Sequence, residues 1–232
     1  MYTVILPAAG TGSRLNLGYN KLFHRIAKRT VIEHTVAWFL NDDKCNQIII
    51  VVNERDQADM CDLFHSYPRI EIVLGGDTRQ ESIYNALAYV REHVVLVHDG
   101  ARPFVNDEII DACYEAASAG FGAVTTVPLK DTIKQRNMSK ENVIEKTLSR
   151  AELVAVQTPQ AFPFAVLQKA NELAKNAHTL ADATDDASLV EKYTELEIKI
   201  VEGSHRNIKF TTEEDIAYFD FLMKRGTQRV RF

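Results

Sequence analysis

Residues 6–21 read LPAAGTGSRLNLGYNK. A run of small residues follows an apolar stretch, and Arg14 and Lys21 stand seven positions apart behind it. Gly, Ala and Ser let backbone N–H groups approach an anion closely, and successive amides form a phosphate-binding concavity. Pro7, Ala8, Ala9, Gly10, Thr11 and Gly12 make up this candidate loop. Alone, it would read as a tight strand-to-helix turn. The two cations behind it favour a polyphosphate. Two familiar motifs fail. A dinucleotide fingerprint starting at Gly10 and Gly12 has Leu15 in place of its third glycine, and the Gly-Lys-Ser/Thr ending of a P-loop is absent.

Two further groups carry chemistry. GGDTRQES (75–82) places Gly76, Asp77, Arg79 and Ser82 where they could contact a base or ribose, although GGD is also ordinary turn chemistry. HDGARP (98–103) supplies Asp99, a carboxylate beyond an apolar run. Near a polyphosphate it is a natural magnesium partner. A salt bridge to Arg102 is the plainer role, and both can hold. His34, His65, His93 and His178 lie in helical or surface contexts and read as structural; so does His98.

These groups need a frame, and the apolar pattern supplies one. Strand-like runs fall at 2–7, 47–53, 70–75, 94–99 and 122–129. Helical patterns fall between them at 30–42, 55–66, 82–90 and 106–120. Thr30 and Glu33 form a capping box, and Asn106 caps the last of these helices, which ends at Gly120. Continuous apolar strands alternating with helices predict an α/β fold: a Rossmann-like, mostly parallel sheet with helices on both faces. In such sheets ligands bind beyond the carboxyl ends of the strands, where all three groups fall. The rhythm breaks after residue 129. Two β-capable stretches around a polar NMSKEN turn predict a protruding β-hairpin arm at about 130–152. Helices near 163–177 and 185–193 follow, then strands at 198–203 and 207–211, and a final helix from 212 with Ile216, Phe219, Leu222 and Met223 on one face. The expectation is one domain over 1–232 with the arm inserted.

Composition bounds the function. The chain has 232 residues, a formal net charge of −5 and 46% hydrophobic residues. That charge argues against general nucleic-acid binding, because no basic surplus exists to displace counterions. No apolar run is long enough to span a membrane, and the N-terminus has no signal-peptide pattern. Cys45, Cys61 and Cys113 are scattered and odd in number, which suggests neither disulfides nor zinc and fits a reducing cytoplasm.

Together PAAGTGSR (7–14), GGDTRQES, HDGARP, DT (131–132), TPQ (158–160), TDDAS (184–188) and NIK (207–209) resemble the motifs of the 2-C-methyl-D-erythritol 4-phosphate cytidylyltransferases of the nonmevalonate isoprenoid pathway. The resemblance covers essentially the whole chain. It implies transfer of CMP from CTP to methylerythritol phosphate, releasing pyrophosphate, with magnesium as cofactor. By the same resemblance Arg14 and Lys21 match the two catalytic cations. The small-residue loop holds the triphosphate, and Gly76, Asp77, Arg79 and Ser82 surround the cytidine. Asp99 stands at the metal and substrate with Arg102 supporting it. Arg150 and Lys209 match residues that aim the acceptor phosphate, and Thr132, Thr158 and Thr184 line the acceptor site. Such enzymes interlock their arms as homodimers, so Arg150 is expected to serve the partner's site. Asn20 departs from the pattern, since members commonly have proline before the lysine. Asn does not fix φ as proline does, so the lysine is expected to keep its role on a loop that is more mobile without substrate.

Ribitol 5-phosphate cytidylyltransferases share the CTP motifs, but TDDAS and TLSRAEL resemble the methylerythritol phosphate enzymes more closely. A non-catalytic nucleotide-binding module would need neither Lys21 nor Asp99. A nicotinamide oxidoreductase fails at Leu15 and at VVN (51–53), where the strand lacks a terminal acid.

Overall fold

β1 (Tyr2–Pro7) shows how an unbroken apolar run builds two cores at once. Tyr2, Val4 and Leu6 enter one cluster of buried side chains, and Ile5 enters the other. Successive strand side chains point to opposite faces, so a run buried on both sides has no polar alternation. The computed structural model describes residues 1–10 and 18–224. The expectations for Thr11, Gly12 and Arg14 fall outside the described residues.

A 3-10 turn at Lys21–Phe23 leads to a small hairpin, β2 (Arg25–Ile26) and β3 (Arg29–Thr30). Then come α1 (Val31–Leu40), β4 (Cys45–Val52), α2 (Gln57–Phe64), β5 (Ile70–Leu74), α3 (Arg79–Leu87), β6 (Val94–Val97), α4 (Asp107–Ser118) and β7 (Gly122–Pro128). The arm is β8 (Lys134–Arg136) paired antiparallel with β9 (Ile144–Thr147). The chain closes with β10 (Val154–Pro163), α5 (Phe164–Asn176), α6 (Asp186–Tyr193), β11 (Ile198–Glu202) and α7 (Glu213–Lys224).

The main sheet has the order β11-β7-β10-β6-β1-β4-β5. β10 runs antiparallel to both β6 and β7, and the other pairings are parallel. Buried residues of α1, α2, α4 and α7 cover one face, and those of α3, α5 and α6 cover the other. This is the expected α/β architecture with its arm.

Three expectations need correction. β10 was not foreseen, because its centre, Gln157-Thr158-Pro159-Gln160, is polar and contains proline. All of Gln157, Thr158 and Gln160 are nevertheless buried, and the register with β7 shifts between Val156 and Gln160. A proline is tolerated at such an irregularity, where the ladder is already interrupted. α3 starts at Arg79 rather than 82, because Thr78 and Glu81 form a second capping box one turn earlier. Residues 207–211 form no strand; they cross beyond the sheet instead, with Phe210 N–H bonded to the Ala101 carbonyl.

Candidate active site

The carboxyl ends of β1, β5 and β6 open onto one cavity of about 340 Å³. Pro7, Ala8, Ala9 and Gly10 line it from β1, Lys21 from the following turn, and Gly76, Asp77, Arg79 and Ser82 from the β5–α3 connection. Asp99 and Lys209 close the far side. Segments almost two hundred residues apart therefore meet in one place.

The β5–α3 wall is tightly specified. Glu81 N–H donates to Thr78 Oγ1 at 3.1 Å, and Thr78 N–H donates to Glu81 Oε2 at 3.0 Å. This box fixes the first turn of α3. The Ser82 hydroxyl donates to the Thr78 carbonyl and accepts from Gly76 N–H at 3.2 Å. A Cβ on Gly75 would stand 2.5 Å from Ser82 Oγ, and one on Gly76 would stand 2.5 Å from Glu81 Cβ. Only glycine permits that approach.

Asp99 is the electrostatic centre. Its Oδ2 lies 2.9 Å from Lys209 Nζ and 3.3 Å from Arg102 Nε, and its Oδ1 lies 4.0 Å from Arg79 Nε. Burial alone would raise the pKa of this carboxyl. The Lys209, Arg79 and Arg102 cations outweigh burial and hold it well below the usual carboxylate range. Arg79 has a second carboxylate behind it: Nη2 meets Asp186 Oδ2 at 2.7 Å, and Asp186 is fully buried. Burial pushes the Arg79 guanidinium down, but Asp186 and Asp99 more than reverse this.

The floor beneath Asp99 has a fixed proton order. His98 Nε2 lies 3.1 Å from the Arg102 carbonyl, which can only accept, so it carries the hydrogen. Bare Nδ1 then accepts from the Thr158 hydroxyl at 3.1 Å, and Thr158 Oγ1 accepts from Asp99 N–H at 3.0 Å. Burial lowers His98 to about 4, which keeps the ring neutral. The structural reading of His98 thus has a definite content: it orients the peptide that bears Asp99.

The expected site residues fall into three groups. Lys21, Asp99, Lys209, the described loop residues and the four β5–α3 residues meet at the cavity. Arg102 and Thr158 lie behind it. Arg102 Nη1 donates to the Asn207 carbonyl at 2.7 Å, and the Thr158 hydroxyl is committed to His98 and Asp99. Thr132, Arg150 and Thr184 are exposed and do not line the cavity of their own chain. Arg150 Nη1 donates to the Lys130 carbonyl at the base of the arm.

Sequence reasoning missed the side chains that lock these segments together. Gln160 donates to Asp185 Oδ2 at 2.7 Å and accepts from Ala187 N–H at 3.0 Å, tying β10 to the start of α6. Asn207 Nδ2 donates to the Thr158 carbonyl at 2.8 Å. Nothing in the order of residues singles out Asp186 as the partner of Arg79. Asn20 adopts the backbone angle that proline would fix. Its φ is −64°, and its side chain is buried in hydrogen bonds.

A mostly parallel sheet that gathers small-residue amides, a lysine and a cation-ringed carboxylate at its carboxyl ends defines a nucleotidyltransferase. Residues 2–225 match the family model described as IspD: 2-C-methyl-D-erythritol 4-phosphate cytidylyltransferase. The chain belongs to that family and is a cytidylyltransferase. It is 44% identical over 227 residues to the 2-C-methyl-D-erythritol 4-phosphate cytidylyltransferase of Bacillus velezensis, covering 96% of each chain. It is 41% identical over 232 residues to that of Halalkalibacterium halodurans, covering 98% of this chain and 99% of the relative. Among solved structures it is similar to 4-diphosphocytidyl-2C-methyl-D-erythritol synthase from Anaerococcus prevotii. That match has a TM-score of 0.84 at 29% identity and covers 97% of this chain and 96% of the other. The Francisella tularensis enzyme gives 0.81 at 30% identity, covering 95% and 98%.

Proposed function

We propose that the chain transfers CMP from CTP to 2-C-methyl-D-erythritol 4-phosphate, giving 4-CDP-2-C-methyl-D-erythritol and pyrophosphate, a step of nonmevalonate isoprenoid precursor synthesis. The observation that carries this is the single cavity shared by the Pro7–Gly10 loop, Lys21, the Asp77–Ser82 wall and the Asp99–Lys209 pair. An acceptor phosphate oxygen attacks the α-phosphorus of CTP. A new P–O bond forms, the bond to the β-phosphate bridging oxygen breaks, and pyrophosphate leaves with the electron pair. The acceptor oxygen is already anionic, so the step needs no protein base. Catalysis is then positioning and charge stabilisation. Loop amides hold the triphosphate. Lys21, with Arg14 by family resemblance, meets the charge that develops on the leaving group. Asp77, Arg79 and Ser82 receive the nucleoside, and Lys209, braced by Asp99, receives the acceptor phosphate. Thr132, Thr158, Thr184 and Arg150 belong to the acceptor side of this reading.

The donor set fits magnesium as a shared site. Among the described residues no three His, Cys, Asp or Glu side chains converge as a metal cage. Magnesium characteristically takes one or two carboxylates and completes its shell with water and substrate phosphates. Asp99 Oδ1, which lies 4.0 Å from Arg79 Nε while Oδ2 meets Lys209 and Arg102, is the oxygen that would hold it. When bound, the ion neutralises triphosphate charge.

The reading includes a homodimer joined through the arm, with Arg150 reaching the partner's cavity. Exposed Met138, Val143 and Ile144 support it. It also includes one domain over residues 1–232 and a cytoplasmic setting, which three free cysteines favour. No described helix is long and apolar enough to cross a membrane. The test is pyrophosphate release from CTP with methylerythritol phosphate and ribitol 5-phosphate in parallel. Release with the first acceptor, abolished by chelation and restored by magnesium, is expected. Release with ribitol phosphate alone would overturn the acceptor assignment, and none with either would reduce the chain to a binding module.

A further inference from the structure

Asn20, immediately before Lys21, is 1% exposed. Its Nδ2 donates to the Ala8 carbonyl at 2.9 Å and to Asp56 Oδ2 at 2.8 Å, and its Oδ1 accepts from Leu22 N–H at 3.1 Å. Only the NH2 end of an amide can face two acceptors, so this orientation is unambiguous. Asp56 is itself buried, and its Oδ2 also accepts from Asn53 Nδ2 at 2.7 Å. Asn53 Nδ2 lies 3.2 Å from the Ala9 carbonyl, and Asn53 Oδ1 accepts from Asp56 N–H at 2.9 Å. Arg55 Nε approaches Asp56 Oδ1 at 3.3 Å. One buried carboxylate therefore laces together the end of β1, the turn that carries Lys21 and the residue after β4.

Two physical consequences follow. In a trans peptide the C=O and N–H point to opposite sides. Holding the carbonyls of Ala8 and Ala9 toward the cluster turns the N–H groups of Ala9 and Gly10 away from it. The same carboxylate holds Asn20, one residue from Lys21. The amides and the cation are thereby set by a single group. A buried polar trio is also a costly way merely to fill space, since well-packed apolar side chains are often neutral or better for stability.

We propose that Asn20, Asp56 and Asn53 form a positioning cluster that holds Lys21 in register with the Ala9 and Gly10 amides, so that both meet the same reacting polyphosphate. The proposal rests on Lys21 being the cation at that polyphosphate. The three residues act through Lys21 and the loop rather than on the reacting atoms.

A double-mutant cycle tests this in the full-length enzyme with CTP, magnesium and methylerythritol phosphate. Asn20→Ala should lower kcat roughly ten- to hundredfold, the scale of a misplaced catalytic group. In a Lys21→Ala background the same change should cost less than about threefold, because the group it positions is gone. Equal losses in both backgrounds, or no loss in the first, overturn the proposal while leaving Lys21 its role. Near-normal turnover of Lys21→Ala alone removes that role and the proposal with it. Thermal melts accompany each variant. If Asn20→Ala unfolds below the assay temperature, Asn53→Ala carries the same cycle. It removes the Ala9 tether and one donor to Asp56 while Asn20 stays in place. Coupling of Asn53→Ala to Lys21 supports the cluster, and additivity overturns it.

Discussion

The cavity and the arm are opposite solutions to placing functional residues. At the centre of the cavity the charged groups are tied to distant parts of the same chain. Asp99 answers to residues 79, 102 and 209, and Arg79 is held from behind by Asp186. In the arm every residue of β8 and β9 is exposed, and Met138 at its tip is 92% exposed. A two-stranded hairpin without a covering surface is marginal in water, and open strand edges invite pairing with another chain. The described charged groups at the centre of the cavity are thus positioned by their own chain. The arm carries Arg150 beside two strands that no described residue of the chain covers.

The largest effect expected within this contrast is at Lys21. Lys21→Ala should leave the melting temperature nearly unchanged and lower turnover about a hundred- to thousandfold, on the order of 3–4 kcal/mol. Unchanged turnover would remove Lys21 from the catalytic machinery.

The arm is tested by complementation. Lys21→Ala and Arg150→Ala chains should each be nearly inactive. If Arg150 serves the partner's cavity, a mixed dimer has one site with both defects and one with neither. Random pairing then restores about a quarter of normal activity. If Arg150 serves its own chain, every site keeps one defect. No recovery in purified, differentially tagged mixed dimers would therefore end the assignment of Arg150 to the partner's cavity.

A smaller effect probes the cavity floor by pH. His98 is neutral and buried with its pKa lowered to about 4, whereas in the unfolded chain it is near 6.5. Unfolded chains bind that proton first, so stability is fully present above about pH 6.5 and falls toward pH 4, by on the order of 2–3 kcal/mol. Asp99, whose carboxyl is also lowered, adds its loss only below about pH 4. Urea unfolding of the native protein from pH 7.5 to 4.5 should show the first decline, and His98→Gln should flatten it. An equally steep decline in His98→Gln would place the acid sensitivity elsewhere.

The smallest effect belongs to the arm surface. Ile144→Asp should weaken self-association by more than about 1 kcal/mol, seen by sedimentation, while CTP affinity stays within about twofold. A matched loss of CTP affinity would mean that the arm and the cavity are one cooperative unit.

Much of this molecule is decided locally. Unbroken runs such as YTVILP and QIIIVV bury both faces of a parallel sheet, and Thr30-x-x-Glu33 starts a helix wherever it falls, because these signals act within a few residues. The phosphate loop, Lys21 and Asp99 were legible for the same reason: their chemistry lies in residue type at the end of an apolar run. β10 was not, because burying Gln157, Thr158 and Gln160 makes sense only once α6, Ser204 and His98 are there to receive their hydrogen bonds. Neither was the pairing of Arg79 with Asp186 across 107 positions, nor the lacing of Asn20 and Asn53 onto Asp56. Hydrogen bonds and ion pairs between distant segments leave no periodicity in the chain. Residue type says that such a group needs a partner once buried, and only the folded geometry decides which partner that is.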